Sequence, residues 1–412
     1  MSAFFTSRWI EPLAQIDELA GGLPAGFRAA GVAAGIKESG APDVGLMVCD
    51  APEATSAARF TVSGTAAPPV QLCRQRCRLD AIRAVVVNAG NANAATGRMG
   101  LENAARMQGA GALVARVPED RVAVASTGII GVPLPMSRVN QGIARAAHEL
   151  SSGGDGAFAQ AIRTTDAIDK HATLEVRLAS GTVRVCAQAK GAGMISPRLA
   201  TMLCFVQTDA RMSAATCDLL LSVCLKRSFE RISVDGQLST NDTVVLQASG
   251  ASGVAVEPET EEELRLGEAI DALLRQLALR VVADGEGARR TGRVVVSGGD
   301  EELTQRVARA VADSPLVKTA LYGGDPNWGR IVQAAGAAVP GSAPLELDVA
   351  IEGVPVCARG AHVPHDAAAL AQAVSGPEVD YAIALPGDGA ESEIYFSDLG
   401  HEYVSLNADY TT

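Results

Sequence analysis

Short apolar runs that end in loops of glycine, alanine and asparagine alternate along this chain with apolar stripes at helical spacing, and this alternation limits the fold more than any other feature. "AIRAVVVNAGNANAATG" (81–97) reads as a buried strand, "RAVVV", entering a small-residue loop. "RVAVASTGIIGVPLP" (121–135) repeats the design: a "VAVAS" strand, then a turn at Thr127 and Gly128. Between them, "LENAARMQGAGALVAR" (101–116) places its apolar residues at helical spacing. "SRVNQGIARAAHEL" (137–150) does the same, with Ser137 as its expected N-cap. In the second half, "TMLCFVQTDA", "RVVVSG" and "ELDVAIEG" read as strands. Residues 213–232 (capped by Ser213), 261–282 and 301–321 read as helices. Strands and long helices in both halves predict an α/β or α+β fold built in layers. The glycine-rich elbow near 190–200 is the one boundary the pattern offers.

Composition removes several function classes. A net charge of -12 argues against a nucleic-acid partner, whose phosphates demand a basic footprint. Aromatic residues are only 4% of the chain, too few for base-stacking platforms. No stretch approaches the roughly 18 apolar residues of a spanning helix. The first residues meet acids early and lack a signal-peptide core, so a cytoplasmic protein without membrane partners is expected. The cysteines, Cys73 and Cys77 included, form no paired cluster of the kind zinc needs and read as reduced, mostly buried thiols.

Motifs for common chemistries are missing. There is no Gly-Lys dipeptide for a phosphate loop, no H-E-x-x-H and no G-x-S-x-G. The histidines stand apart from candidate nucleophiles, and His362 and His365 in "AHVPHD" read as a surface loop rather than a metal site. What remains is polar residues in glycine-rich turns: Thr127-Gly128, Lys190, Thr201, Asp235 to Asp242, Asp284 to Gly287, Asp325 to Arg330 and Asn407. Turns after strands are where rigid scaffolds present catalytic side chains, although each residue alone is equally a turn former.

Taken together, these stretches resemble the ornithine acetyltransferase family, also called the glutamate N-acetyltransferase or arginine-biosynthesis J family. The matching text runs through nearly the whole chain: "NAGNANAATG", "STGIIGVPLPM", "TTD" (164–166), "KGAGMISPRLATML", "ISVDGQLSTNDTV", "VADGEGA", "SPLVKTALYGGDPNWGRI" and "YVSLNADYTT". The resemblance implies an αββα sandwich of the ornithine acetyltransferase and DmpA-like type, with an N-terminal nucleophile. It implies self-cleavage between Ala200 and Thr201, giving an α chain (1–200) and a β chain (201–412) that stay associated, commonly as α2β2. It further implies a ping-pong transfer of acetyl from N2-acetylornithine to glutamate through Thr201. No metal or organic cofactor is expected, with acetyl-CoA open as a co-substrate.

The chemistry is coherent with those residues. A threonine hydroxyl needs a base, and a chain that begins at Thr201 carries an α-amine with a pKa of about 8 beside its own Oγ. The small Ala200 leaves the scissile carbonyl open to attack by that Oγ, and Gly191 and Gly193 permit a strained approach. The family's oxyanion pair maps onto Thr127 and Gly128. Its substrate contacts map onto Lys190, Thr201, Glu286, Asn407, Thr412 and a threonine of "RTTDA", either Thr164 or Thr165, with Thr165 favoured. Several positions depart from the family text. Arg289-Arg290 is expected to set cations near Glu286, Gln237-Leu238 interrupts "VDGQLSTND", and Ser397 stands where cysteine is common. These departures keep two alternatives open: a paralogue that acylates a different amine in secondary metabolism, and an N-terminal-nucleophile amidohydrolase or aminopeptidase. A dead, uncleaved relative is a further alternative.

Overall fold

The computed structural model describes residues 4–11, 13–196 and 202–409. Its strands form three sheets, in an α/β arrangement. One sheet has six strands, ordered Ile16–Leu19, Lys170–Leu178, Gly181–Lys190, Leu203–Thr208, Thr243–Ala248 and Thr55–Phe60. A second has four: Phe27–Val32, Val44–Cys49, Ala84–Asn91 and Val122–Ile129.

The two sheets stack because the strands of the larger one are apolar on both faces. Along Leu203–Thr208, Cys204 and Val206 enter one hydrophobic cluster, while Leu203 and Phe205 enter another. That is the period of two a pleated strand imposes. The first cluster holds the helices Ala214–Arg227 and Glu261–Ala283, through residues such as Leu221, Leu225, Leu266, Ile270, Leu273 and Leu277. The second joins the six-stranded sheet to the four-stranded one, which is covered outside by the helices Gly97–Ala115 and Met136–Glu149. The result is an αββα sandwich. Phe205 and Phe158 meet edge to face between the sheets, ring centroids 5.4 Å apart, a geometry worth about 0.5–1.5 kcal/mol beyond area burial.

The helix Glu261–Ala283 illustrates how local sequence specifies an element. Thr260 Oγ1 accepts the Glu263 amide, and Glu261, Glu262 and Glu263 fill the first turn, where the helix dipole favours negative charge. Ser213 caps its helix as expected, accepting the Thr216 amide. Other expectations need correction. Ser137 lies inside its helix, which starts at Met136 after Pro135. The stretch 301–321 is two helices, Glu301–Ala312 and Pro315–Gly323, because Pro315 lacks an amide proton and Ser314 caps the second start. The strand expected to end at Ser126 continues through Thr127 and Gly128 to Ile129, still in parallel register with Ala89 and Gly90.

A third, seven-stranded sheet runs Ile232–Ser233, Glu391–Ser397, Thr291–Ser297, Glu378–Ala384, Asp348–Ile351, Val354–Ala358 and Ala361–His362. It has a hydrophobic cluster of its own, including Val294, Val296, Val307 and Val311. The expected division near 190–200 falls between Gly181–Lys190 and Leu203–Thr208, which are antiparallel neighbours in one sheet (Lys190 opposite Leu203). Chains separated there would share a sheet and a core. Seven of the cysteines are buried, Cys77 is half-buried, and all are free. Among the described residues, no helix is long and apolar enough to cross a membrane.

Candidate active site

The ends of several elements converge on a cavity of about 160 Å³. Thr127 and Gly128, Thr165, Lys190, Glu286 and Asn407 all line it, although they come from distant parts of the chain. Thr164 lines it too, so the geometry admits either threonine of "RTTDA". Ala200, Thr201 and Thr412 lie outside the described residues.

Thr127 and Gly128 owe their position to a backbone irregularity. The parallel pair Ala84–Asn91 and Val122–Ile129 shifts register at Gly90 and Asn91. Gly128 sits at φ 128, and a Cβ there would lie 2.4 Å from the carbonyl carbon of Gly90. Only glycine satisfies both constraints. Asn241 braces the same end of the strand pair, its Nδ2 donating to Ala92 O at 2.7 Å and Ser126 O at 2.9 Å.

Lys190 ends the strand Gly181–Lys190, and its ammonium donates to Thr127 Oγ1 at 3.2 Å. The side chain is buried. Burial lowers its pKa, against the attraction of Asp166, Asp242 and Glu286. Asp242, fully buried, accepts the Met202 amide at 3.0 Å through Oδ1 and so anchors the residue that follows Thr201. Burial pushes its carboxyl well above the usual range, with the Met202 amide opposing.

Asp235 clamps the loop after Lys190. It accepts the amides of Met194 (2.7 Å) and Ile195 (2.8 Å), while Ile195 O accepts in turn from Val234 and Gly236. Its Oδ2 also takes the Tyr403 hydroxyl at 3.2 Å. Glu286 follows the helix Glu261–Ala283, and its amide donates to Ala192 O at 2.9 Å. A Cβ on Gly193 would stand 2.7 Å from the Glu286 carboxylate, so a larger residue there would push that side chain out of its present position. Asn407, on the helix His401–Asp409, donates to Glu286 Oε2 at 2.8 Å.

Arg289 and Arg290 do not serve Glu286. Arg289 pairs with Glu402 at 3.1 Å over the Tyr322 ring, and Arg290 donates to Val374 O at 2.6 Å. His362 is exposed and stacks on Trp328, ring centroids 5.8 Å apart. Tyr403 and Lys170 are contributors that sequence reasoning passed over. For Lys170 the one available signal is its spacing of four from Asp166 in "TTDAIDK".

The cavity thus combines a backbone elbow at Thr127-Gly128, a buried ammonium and two carboxylates, Asp235 and Glu286, with no histidine among its described lining. It can bind an amino-acid-like molecule at both charged ends, but a proton acceptor for a hydroxyl nucleophile has to come from outside the histidines. The model for the ArgJ family matches residues 28–412. The chain is 40% identical over 417 residues to the arginine biosynthesis bifunctional protein ArgJ of Thermosynechococcus vestitus, covering 96% of this chain and 99% of that protein. It is 43% identical over 396 residues to the protein of the same name from Rhodopirellula baltica, covering 95% and 96%. Among solved structures it is similar to ornithine acetyltransferase complexed with ornithine from Mycobacterium tuberculosis, at 37% identity, 45% of this chain, 99% of that chain and a TM-score of 0.41.

Proposed function

This chain belongs to the ArgJ family, homologous to bifunctional proteins of arginine biosynthesis, and we propose that it transfers acetyl from N2-acetylornithine to glutamate through an acetyl-Thr201 intermediate. The observation that carries this reading is the shared cavity of Thr127, Gly128, Thr165, Lys190, Glu286 and Asn407.

In this proposal Thr201 Oγ first attacks the Ala200 carbonyl carbon. The peptide C–N bond breaks, an ester forms, and water hydrolyses it, leaving Ala200 with a carboxylate and Thr201 with a free α-amine. That amine then accepts the Oγ proton as Oγ attacks the acetyl carbon of acetylornithine. The oxyanion develops toward Thr127 and Gly128, where fixed donors stabilise it more than the ground-state carbonyl. The proton passes to ornithine's departing α-nitrogen, and ornithine leaves. Glutamate's α-amine attacks the acetyl ester, gives up a proton, and departs as N-acetylglutamate. Glu286 faces ornithine's side-chain ammonium, and Lys190 takes a carboxylate or the acetyl oxygen.

The relatives' name "bifunctional" supports testing acetyl-CoA as a second donor. We further propose a cytoplasmic α2β2 assembly of the two products. The deciding experiment is a donor and acceptor panel with purified protein, run beside a denaturing gel. Transfer from acetylornithine to glutamate by protein showing two half-size bands is expected. Consumption of acetylornithine without an amine acceptor would replace this reading with hydrolysis, and transfer only to other amines would replace it with a paralogue. Thr201→Ala is expected to stay a single chain and transfer nothing. Normal cleavage in that variant would sink the mechanism.

A further inference from the structure

Beneath the cavity lies an ionic cluster that the proposed chemistry does not use. Lys170 is fully buried, and its ammonium donates to Asp166 Oδ1 at 2.7 Å and to Asp284 Oδ2. The side chain of Asp166 is fully buried and that of Asp284 nearly so. Taking three charges out of water is expensive, and such clusters seldom add net stability compared with apolar packing. Their directional bonds hold geometry instead, and here the bonds reach three separate chain segments.

The first segment carries Thr164 and Thr165: Asp166 Oδ2 accepts the Thr164 amide at 3.0 Å, and Asp284 Oδ2 accepts the Ala167 amide at 3.0 Å. The second carries Lys190: Asp166 Oδ1 accepts the amide of Gly191, its neighbour, at 2.7 Å. The third carries Glu286, two residues beyond Asp284. Every one of these segments presents a side chain to the cavity. Asp166 also lies close enough to Lys190 to act as its main counter-charge, and Lys170 and Lys190 together hold the Asp166 carboxyl well below the usual range despite its burial.

We propose that Asp166, Lys170 and Asp284 form a positioning cluster that sets Thr165, Lys190 and Glu286 at fixed separations, so that it controls substrate affinity more than fold stability. Lys170 joins the two carboxylates, and each carboxylate holds backbone amides of a cavity loop. The inference rests on the proposed function in taking those three residues as substrate contacts.

The test compares wild type with Lys170→Met and with Asp284→Asn, which keeps an acceptor for the Ala167 amide but loses the charge. Rates are normalised to folded, cleaved protein. The expected result is a KM for both acetylornithine and glutamate raised about tenfold or more, with kcat changed by less than about threefold, as loss of uniform binding requires. A purely structural role would lower the active fraction and leave both KM values within about twofold of wild type, and that outcome overturns the inference. If Lys170→Met does not fold, Asp284→Asn carries the test. Hydrogen exchange separates this failure from failure of the functional reading, because it needs no substrate. In Asp284→Asn, protection is expected to fall together in 164–168, 190–196 and 284–288. Loss confined to 284–288 overturns the cluster even if wild type proves to catalyse another reaction.

Discussion

Asn407 Nδ2 lies 2.8 Å from Glu286 Oε2, so a helix at the far end of the chain partners the carboxylate that the proposed reaction assigns to ornithine's ammonium. The carboxylate is thereby oriented without being neutralised, since the amide brings no charge. Glu286→Gln keeps this contact in shape and removes the anion. Losing a charge-assisted hydrogen bond of about 1.5–3 kcal/mol should raise the KM for acetylornithine roughly 10- to 100-fold. The KM for glutamate should move far less. Steady-state kinetics with each substrate varied will show this, and equal effects on both would remove Glu286 from the ornithine end.

Gly128→Ala is expected to fail twice. At φ 128 an alanine is strained, and its Cβ would press on the Gly90 backbone at 2.4 Å, where no flexible side chain can yield. Stability should fall by at least about 2 kcal/mol, read from urea midpoints. Folded protein should also lose about a hundredfold or more in kcat, the usual size of an oxyanion-site defect. Wild-type stability in this variant would mean that the strand pair relaxes more readily than its packing indicates.

The helix His401–Asp409 has no buried residue, and polar contacts tie it down: Glu402 to Arg289, Tyr403 to Asp235 and Asn407 to Glu286. A helix held so thinly opens locally, without global unfolding. Tyr403→Phe removes one hydrogen bond worth about 1 kcal/mol. Amide exchange across 401–409 should quicken about fivefold, while the melting temperature stays within about a degree. A large drop in melting temperature would show that the helix belongs to the cooperative core.

Much of this architecture was legible in advance, and the reasons are local. Ser213 is an N-cap in the sequence because its partner, the Thr216 amide, is three residues away. The Ser314-Pro315 break was equally local but was masked by apolar periodicity continuing on either side of it. The cavity residues were found through matching motifs, not through periodicity, since Thr127 and Glu286 look like ordinary turn residues by themselves. Lys170 and Tyr403 stayed hidden for a different reason. Lys170's second partner, Asp284, and Tyr403's partner, Asp235, lie 114 and 168 residues away, and neither residue carries a mark of such a distant contact. The third sheet was also unannounced, because its strands and helices alternate in the same manner as those of the sandwich.

Lys318 offers a test by pH. It is 2% exposed, and its ammonium donates to Ser397 O at 2.8 Å without a direct carboxylate partner in hydrogen-bond reach among its described contacts. Burial lowers its pKa from 10.5 to about 8, although Asp313, Asp235 and Asp398 attract the charge. The folded protein therefore holds fewer protons here than the unfolded chain between pH 8 and 10.5, so stability from this group rises with pH across that window. Below pH 8 the penalty is constant. A shift of this size corresponds to about 3 kcal/mol in full. Lys318→Met cannot titrate, and groups common to both proteins cancel in the difference. Urea unfolding should find that wild type gains on the order of 2–3 kcal/mol relative to Lys318→Met between pH 7.5 and 10.5. A difference that stays flat across that window would mean that water reaches the Lys318 ammonium and that its burial is incomplete in solution.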